Sequence, residues 1–424
     1  MDLITKRIYE IADVVGGGTP STSNEEYWGG DIPWLSPADL TGYQSVYISH
    51  GEKFITPEGV KKSSTQRLPA GSVLFSSRAP IGYIAIAQNE IYTNQGFKSL
   101  VCKSEVINNL YLYYYLKLNL NYIKNFASGA TFPELSANRI KNIKITFCKS
   151  LHEQQKIASI LSAYDSQIEN NQKRIKLLEQ MAENLYKEWF VRFRFPGYEK
   201  EKMKPSKFGR IPVSFDVKTM GEVFEYYIGG GWGEEQQSQD FQIEASVIRG
   251  ADFPNVWHFD ISSCPRRYHK ISNYKSRQLE PGDIVFEISG GTSEQPVGRA
   301  VLATKELIDR FQDKHVICAS FCKLIRIKKD VATPYFFYYW LKYLYDTRII
   351  DRFQLQSTGI INFKFESFLK KGTVVLPPMD IMKQFDDSVE HLYRDMNNLA
   401  KQNDLLTHQR DLLLPRLMSG KLSI

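Results

Sequence analysis

The sequence has few cysteines, and their positions follow no repeated spacing. There are five, at positions 102, 148, 264, 318 and 322. An odd number without paired spacing favours a reducing compartment over a disulfide framework. No apolar run approaches the roughly 18 to 20 residues that a membrane-spanning helix needs, and residues 1–10 lack the hydrophobic core of a signal peptide. We therefore expect a soluble, cytoplasmic protein without a membrane partner.

Two kinds of cofactor-binding loop are also missing. The absence of a Gly-x4-Gly-Lys-Ser/Thr loop excludes a motor ATPase within this chain. The tetrad Asp31–Trp34 resembles the acidic-Pro-Pro-aromatic loop with which adenine methyltransferases hold their target base, but Ile32 stands where that loop has proline. No acidic-aromatic-Gly-x-Gly turn for a methyl-donor cofactor lies near it. We interpret the tetrad as a strand entry in which Trp34 is either packed or stacked on a base.

The spacing His315-x2-Cys318-x3-Cys322 could suggest a zinc site. Zinc sites usually have four ligands at short paired spacings, and the internal repeat described below places these cysteines at ordinary strand positions. No Ser-His-Asp arrangement can be recognised either. The sequence therefore predicts neither a metal site nor a catalytic residue.

Length and charge limit the class of protein further. The 424 residues are 42% hydrophobic and 13% aromatic, with a formal net charge of +7. Such a chain is long enough for two to four domains with sizeable cores. The modest positive charge permits an anionic partner without requiring one.

The chain repeats itself with a period of about half its length. Segments recur in the same order at offsets between 211 and 225: Val15–Gly18 with Ile228–Gly231, Leu68–Phe75 with Leu279–Phe286, and Tyr113–Lys117 with Tyr338–Lys342. We align Asn94–Leu100 with Cys318–Leu324 on the same basis. The repeat predicts a duplicated architecture.

A long helical pattern ends each half. Apolar residues step alternately by four and three from Ile157 to Trp189 and from Phe385 to Leu417, with Asn171 and Asn403 interrupting the seams. Heptads sustained over this length predict a coiled coil, and a buried Asn typically fixes its register. We expect Phe195-Pro196-Gly197 to end the first helix and Pro415 to break the second.

The segments between the helices predict mixed globular domains. Strands are expected at 72–75, 81–87, 143–147 and 321–327, and the Tyr-rich runs 110–123 and 335–350 are expected to be helices whose aromatic stripe packs in a core. The predicted domains are residues 1–150, 151–196, 197–376 and 377–424. The second and fourth of these are the long helices.

Polar loop tips recur in both halves and suggest nucleic acid as the partner. Glycine lets backbone approach phosphates, while Arg, Asn and Gln can read base edges through paired hydrogen bonds. The basic run 258–277 suits phosphate contact. Arg78 and Arg299 each follow a turn in loops that the repeat aligns, so we expect alanine at either position to weaken DNA binding without unfolding the protein.

With these segments in view, the chain resembles the DNA-specificity subunit of type I restriction-modification systems over its whole length. The segments GGGTPST, IPWLSPADL, LPAGSVLFSSRAPIG and NQGFKSL are similar to that family's target-recognition domains. The segments LHEQQKIASILSAYDSQIENNQKRIKLLEQM and RDLLLPRLMSGKLSI are similar to its helical spacers. The resemblance implies an α+β fold: two pseudo-repeated mixed α/β target-recognition domains separated by a two-helix antiparallel coiled coil.

The resemblance also implies a non-catalytic subunit that reads a bipartite, asymmetric double-stranded DNA site. Its partners would be two methyltransferase subunits and the restriction/translocase subunits, and these would bring S-adenosylmethionine, ATP and Mg²⁺; no cofactor is expected in this chain. One departure is Cys318-Ala319-Ser320 where the first half has Asn94-Gln95-Gly96. The two halves therefore need not read DNA alike.

The candidate DNA-binding residues come from the loop tips of both halves. They are Gly17, Thr19, Trp34, Ser36, Ser77, Arg78, Gln95, Thr131, Gly230, Trp232, Arg249, Arg266, Arg267, Ser289, Gln295, Arg299 and Thr358. Two other functions are left open: a stand-alone methyltransferase fused to its reader, which the missing cofactor loop opposes, and a coiled-coil adaptor that binds proteins only.

Overall fold

A computed structural model of the chain describes residues 1–78, 80–129, 133–292, 295–357 and 360–422. Contacts divide it into two compact units. The first consists of Met1–Asn170 and Asn403–Ile424, and the second is Asn171–Gln402. These units divide the chain within the long helices, so the four predicted domains stay a prediction. In the described ranges, no helix combines the length and the apolar character needed to cross a membrane.

The first unit mixes strands and helices. Its strands are β1 (Leu3–Arg7), β2 (Ala12–Gly16), β3 (Trp28–Leu35), β4 (Tyr47–Ile48), β5 (Lys53–Ile55), β6 (Val73–Phe75), β7 (Ile84–Ala87), β8 (Tyr92–Thr93), β9 (Lys98–Cys102) and β10 (Lys144–Cys148). Its helices are α1 (Ile8–Ile11), α2 (Pro57–Lys61), α3 (Asn109–Leu118), α4 (Leu120–Lys124), α5 (Ala137–Asn142) and the first part of α6 (Leu151–Tyr186). The sheets have the orders β2-β9-β6-β7-β4 and β5-β3-β8, with β1 paired to β10.

The core of the first unit gathers around the Tyr-rich helix. The side chain of Asn108 caps α3 by accepting a hydrogen bond from the Tyr111 amide. Tyr111 and Tyr114 are buried, and the Tyr111 hydroxyl accepts a hydrogen bond from the Cys148 amide at 3.2 Å. Burial of a Tyr is favourable when its hydroxyl finds such a partner. The prediction that this aromatic stripe packs in a core is confirmed.

The second unit is built from the remaining elements. Its strands are β11 (Met203–Ser206), β12 (Gly209–Pro212), β13 (Asp216–Thr219), β14 (Phe224–Gly229), β15 (Ile243–Ile248), β16 (Arg266–His269), β17 (Asp283–Glu287), β18 (Ser289–Gly291), β19 (Ala300–Ala303), β20 (Val316–Cys318), β21 (Cys322–Ile327), β22 (Gln354–Ser357), β23 (Ile360–Phe363) and β24 (Thr373–Leu376). Its helices are α7 (Met220–Val223), α8 (Phe253–Val256), α9 (Ile271–Arg277), α10 (Lys305–Ile308), α11 (Pro334–Asp346), α12 (Phe365–Lys371) and part of α13 (Met379–Met418), together with the second part of α6.

Three sheets and two strand pairs organise the second unit. The sheets have the orders β14-β21-β17-β19, β16-β15-β20 and β18-β23-β22, and β13 pairs with β24 and β11 with β12. Most of the Tyr-rich run 335–350 forms α11, which ends at Asp346 and whose Phe336, Phe337 and Tyr339 are fully buried. The predicted strands and helices of both halves are thus present, with boundaries shifted by one to three residues in most cases.

In the second unit, α6 packs against α13 in the antiparallel direction. Where α6 enters this unit, the side-chain amide of Asn171 donates to the Gln402 side-chain oxygen at 3.4 Å. At the C-terminal end of α6, the Tyr186 and Phe385 rings lie 6.0 Å apart. Residue numbers rise along one helix while they fall along the other. Asn171 is fully buried, as the seam predicts.

In the first unit, the same two helices meet around a buried ion pair. The Arg410 guanidinium donates to the Asp165 carboxylate, and their side chains are 16% and 8% exposed. The Tyr114 hydroxyl donates to the other oxygen of Asp165 at 2.5 Å. Leu161 and Leu417 belong to the same buried cluster. This pair therefore also attaches α3 to the helices.

The ends of the long helices differ from the sequence prediction. The α-helix stops at Tyr186 and continues as a π-helical turn over Lys187–Val191, so the regular helix ends before Phe195-Pro196-Gly197. The predicted break at Pro415 is wrong, because α13 runs through that residue to Met418. A proline removes one backbone hydrogen bond, but burial of Leu417 and Met418 in the core offsets that loss.

We predict that Arg410→Ala lowers the free energy of unfolding by about 3 kcal/mol, because it leaves the Asp165 carboxylate buried without a cation. Urea denaturation followed by circular dichroism would measure this. The control is Arg394→Ala, whose pair with Glu390 spans 2.6 Å but is 51% and 40% exposed; because solvent screens such a pair, its loss should lower the stability far less. Equal and small losses would contradict a structural role for the buried pair.

Candidate nucleic-acid interface

The first glycine loop, residues 16–19, is held close to the end of β8. The Gly18 amide donates to the Thr93 carbonyl at 2.8 Å. A Cβ on Gly17 would lie 2.0 Å from the Asn94 carbonyl oxygen and 2.3 Å from that of Thr93. Only glycine fits such a close approach of two backbones. The geometry thus gives Gly17 a packing role, and its contact with DNA stays a prediction.

Trp34 packs against the buried side of this loop. Its indole N–H donates to the Gly18 carbonyl at 2.9 Å, its side chain is 5% exposed, and its ring meets Trp28 edge-on at 5.1 Å. Of the two alternatives for Trp34, the structure has the packed one. Asp31–Trp34 lies within β3, as a strand entry predicts.

Thr19 and Gln95 meet at the outer side of the loop. The Thr19 hydroxyl donates to the Gln95 side-chain oxygen at 2.5 Å, and Gln95 is exposed. Next to them, the Lys98 amine donates to the Gln95 carbonyl at 2.9 Å. Burial lowers the pKa of Lys98, while Glu134 opposes this shift. Lys98 belongs to the segment NQGFKSL but is not among the predicted DNA-binding residues; its position directly after the Gln95 turn is the signal that could have identified it.

Arg78 continues the same surface, while its neighbour Ser77 is buried. The buried Ser77 hydroxyl donates to the Gly96 carbonyl at 3.0 Å, which gives this side chain a local structural partner. Arg78 lies 3.8 Å from Glu134, with side chains that are 39% and 42% exposed. An exposed pair at this distance contributes little, so the guanidinium can exchange Glu134 for a phosphate or a base.

Ser36 has a local partner, and Thr131 lies outside the described residues. The Ser36 hydroxyl and amide both donate to the Asp39 carboxylate, at 2.9 and 2.7 Å. Contacts through Gly18 and Gly96 bring Trp34, Thr19, Gln95, Ser77 and Arg78 together in the first unit. Gln95 and Arg78 offer the most accessible polar groups of this set.

The second glycine loop, residues 229–232, repeats the backbone pattern. The Gly231 amide donates to the Cys318 carbonyl at 2.9 Å, and a Cβ on Gly230 would lie 2.2 Å from the Ala319 carbonyl oxygen. Since the Gly18 amide bonds to Thr93, this pattern pairs Thr93 with Cys318. The predicted alignment of Asn94 with Cys318 is therefore wrong by one residue.

A second pair of hydrogen bonds gives the same correction. The Ser77 amide donates to the Gly96 carbonyl at 2.7 Å, and the Ile288 amide donates to the Phe321 carbonyl at 2.9 Å. Gly96 thus corresponds to Phe321 and Gln95 to Ser320. The residues of the second half that replace Asn94-Gln95-Gly96 are therefore Ala319-Ser320-Phe321 and not Cys318-Ala319-Ser320.

Most candidate arginines of the second unit are already paired with carboxylates. Arg249 makes two hydrogen bonds to Asp252, at 2.8 and 2.9 Å. Arg266 donates to Glu244 at 2.7 Å and to Asp313 at 2.6 Å, and hydrogen bonds to these two acids raise its pKa. The predicted phosphate contact of this basic run stays a prediction that must compete with its acidic neighbours.

Arg267 and Trp232 form a local pair in the second unit. The guanidinium carbon lies 4.3 Å from the Trp232 ring centroid, within the range of a cation–π contact, and one guanidinium nitrogen lies 2.8 Å from Glu235. Trp232 is 38% exposed and Arg267 13% exposed. Of the two, Trp232 presents the larger accessible surface.

The structure gives Arg299 a buried structural position. Its guanidinium donates to both carboxylate oxygens of Glu287, at 2.9 and 2.5 Å, and to the Gly250 carbonyl. The amide of Glu287 donates to the Arg299 carbonyl and that of Ser76 to the Tyr83 carbonyl, so Arg299 corresponds to Tyr83. Arg78 and Arg299 thus occupy different positions of the two aligned loops, and the predicted intact fold after Arg299→Ala is no longer expected.

Two of the remaining candidates of the second unit, Ser289 and Gln295, lie in or next to β18. The Ser289 hydroxyl and the Asn362 side-chain oxygen lie 2.6 Å apart. The backbone N–H of Gln295 donates to the Thr292 hydroxyl at 3.1 Å. Thr358 lies outside the described residues. The backbones of Arg78 and Glu134 form an isolated antiparallel β-bridge, and Ser289 and Asn362 are paired in the same way between β18 and β23. Ser289 therefore occupies the position that Arg78 has in the first unit.

The two cysteines of the His315-x2-Cys318-x3-Cys322 spacing lie in the core. Cys318 lies on β20 and Cys322 on β21, and both are fully buried. Burial raises the pKa of the Cys318 thiol to about 12. The His315 ring lies 3.3 Å from the Glu244 carbonyl. Within the ranges that the structure describes, no group of three His, Cys, Asp or Glu is placed to hold a metal ion.

Comparisons with known proteins point to one family. A family model described as "Type I restriction modification DNA specificity domain" matches residues 2–180. The type I restriction enzyme MjaIX specificity subunit of Methanocaldococcus jannaschii is 33% identical over 431 residues, which cover 100% of this chain and 94% of that protein. The MjaVIII specificity subunit of the same organism is 26% identical over 284 residues, covering 67% and 63% of the two chains.

A solved structure has a similar fold. The S subunit of a type I restriction-modification system from M. genitalium matches with a TM-score of 0.51 at 15% identity, covering 99% of this chain and 96% of that chain. At this identity the likeness concerns the fold.

We predict that Arg299→Ala lowers the free energy of unfolding by about 3 kcal/mol, because it leaves Glu287 buried without its cation. The side chains of this pair are 10% and 5% exposed. Arg78→Ala is the matched control, since its exposed pair should contribute under about 1 kcal/mol. Thermal and urea denaturation of both variants would measure the difference. If Arg299→Ala melts like the unsubstituted protein, the ion pair does not hold the fold together.

Proposed function

Since the chain belongs to the family of type I restriction enzyme specificity subunits, we propose that it is the DNA-reading subunit of a type I restriction-modification complex. In this proposal it recognises DNA sequence and catalyses no reaction itself. The full-length similarity to a specificity subunit, at 33% identity, is the observation that carries the proposal. The exposed polar groups of Gln95 and Arg78 on one surface are consistent with it.

We further propose that residues 1–150 and 197–376 are two pseudo-repeated target-recognition domains, each reading one half of a bipartite site. The strand orders support this. The series β2-β9-β6-β7 in one unit corresponds member by member to β14-β21-β17-β19 in the other. The smaller sheets also correspond, because β3 pairs antiparallel with β5 and parallel with β8, as β15 does with β16 and β20.

Residues 151–196 and 377–424 would form the spacer, an antiparallel two-helix coiled coil. The contacts of α6 with α13 that each unit contains support this arrangement, through Asp165 and Arg410 in one unit and through Tyr186 and Phe385 in the other. About 40 residues of helix at 1.5 Å per residue make a rod of roughly 60 Å. Such a rod would set the gap between the two half-sites.

The methyl-transfer and cleavage chemistry would belong to partner subunits. We propose that two methyltransferase subunits dock on the spacer helices, and that restriction/translocase subunits join this assembly in the cytoplasm. S-adenosylmethionine, ATP and Mg²⁺ would be bound by those partners. In this chain, Trp34 lies in the interior with its indole N–H bonded to Gly18, so its ring is not placed to hold an extruded adenine.

Two measurements separate this proposal from its alternatives. The isolated chain should bind no S-adenosylmethionine in a calorimetric titration, and appreciable affinity would favour a methyltransferase fused to its reader. The chain with its partner subunits should be retained on DNA with an affinity that falls as salt rises, because phosphate contacts release counterions. Absence of DNA retention at low salt would favour an adaptor that binds proteins only.

We predict that the two half-sites differ in sequence. At corresponding positions the first unit has Thr19, Gln95 and Arg78, while the second has Trp232, Ser320 and Ser289. Different side chains in the same groove read different bases. Selection of bound sequences from random DNA would measure both half-sites. A perfectly palindromic site recognised by one copy of the chain would contradict the assignment of these positions to base reading.

A further inference from the structure

Phe321 is an aromatic residue whose ring is exposed although its backbone is firmly held. It occupies the turn between β20 and β21, and 62% of the residue is accessible to solvent. Two backbone hydrogen bonds hold this turn. The Cys322 amide donates to the Ala319 carbonyl at 2.8 Å within the turn, and the Ile288 amide of the neighbouring segment donates to the Phe321 carbonyl at 2.9 Å. The ring therefore projects from a rigid turn.

The corrected alignment places this ring on the proposed DNA surface. Phe321 corresponds to Gly96, which adjoins the exposed Gln95 of the first unit. The sequence alignment had matched Phe321 with Phe97, a fully buried core residue; the structure instead matches Phe97 with Cys322, which is equally buried. Single exposed hydrophobic residues are common on protein surfaces, so the position of Phe321 carries more weight than its exposure.

The neighbouring loop leaves one side of the ring open. Gly290 has a left-handed φ of +101°, and a Cβ added there would lie 4.0 Å from Cδ2 of Phe321. A Cβ at this distance would be in van der Waals contact with the ring, whereas glycine leaves this side of it uncovered. Ser289, which corresponds to Arg78, precedes Gly290 directly. Polar and apolar groups thus lie side by side on this edge of the second unit.

We propose that Phe321 is a base-reading residue of the second domain and that its ring contacts the C5-methyl group of a thymine in the major groove. This inference rests on the proposed function. A phenyl ring has no hydrogen-bond donor or acceptor, so the thymine methyl is the base-edge feature that it can distinguish there. Insertion of the ring between base pairs would require unstacking, which costs a few kcal/mol per step, and is one outcome of the test.

The test uses the complete complex and two variants. Half-sites are first selected from random DNA with the unsubstituted protein and with Phe321→Ala. We expect the variant to lose its preference for thymine at one position of one half-site. The preference should fall by about fourfold, which is the change in binding constant expected when one buried methyl or methylene contact is lost. The other half-site and the gap should not change. Phe208→Ala is the matched control, because Phe208 is 45% exposed in the β11–β12 turn of the same unit.

A second arm identifies the group that is read. Deoxyuridine replaces that thymine and removes only its methyl group. Binding by the unsubstituted complex should weaken about fourfold, while Phe321→Ala should bind both DNAs equally, as expected for two groups that act through one contact.

Three results would overturn the inference. Phe321→Ala could keep the specificity of both half-sites, or the altered position could be a base other than thymine. Deoxyuridine could also bind as well as thymine although Phe321→Ala binds more weakly, which would indicate stacking or insertion. If the unsubstituted complex selects no sequence at all, the proposed function has failed and the inference fails with it.

Discussion

The packing of α6 against α13 is the interaction on which the remaining structure depends. In the second unit, Tyr186 and Phe190 contact Phe385 of α13 and also reach α11, where Phe190 and Phe336 lie 4.8 Å apart. In the first unit, Asp165 joins Arg410 of α13 to Tyr114 of α3. The helices and the Tyr-rich segments thus share one core in each unit. The Tyr-rich helices connect the sheets to the long helices, which explains why their aromatic stripes are so continuous.

The glycine loops impose a second constraint, because they fix the outer edge of each unit. At Gly17 and Gly230 two backbones approach so closely that no side chain fits. A loop held in this way presents its neighbouring side chains from a rigid frame. Sequence recognition by loops benefits from such rigidity, since less entropy is lost on binding. The frame is similar in the two units, while the side chains placed on it differ, as at Gln95 and Ser320.

Much of the fold could be predicted from the sequence because its signals are periodic. Heptads from Ile157 and from Phe385 identified the long helices, and short alternating runs identified strands such as β6 and β21. Local rules failed where tertiary packing overrides them: α13 continues through Pro415 because the residues beyond it are buried.

The candidate site was less predictable, since a single residue of alignment decides which side chains face outward. Shifting the alignment by one residue moved Phe321 from the position of the buried Phe97 to that of Gly96, next to the exposed Gln95. Arg299 looked like a loop-tip arginine in the sequence, but its partner Glu287 lies 12 residues earlier and only the folded β17–β19 pair brings them together. Long-range ion pairs of this kind leave no periodic signal.

The central claim is that the helix pair spaces two independent readers, and a heptad insertion tests it most directly. Seven residues are added between positions 170 and 171 and between 402 and 403, which preserves the seam and lengthens each helix by about 10 Å. At roughly 3.4 Å per base step, the gap between the half-sites should grow by about three base pairs while the bases of each half stay the same. Selection from random DNA would measure both. A change in the bases recognised, with the gap unchanged, would contradict the account and would place the helices within the reader.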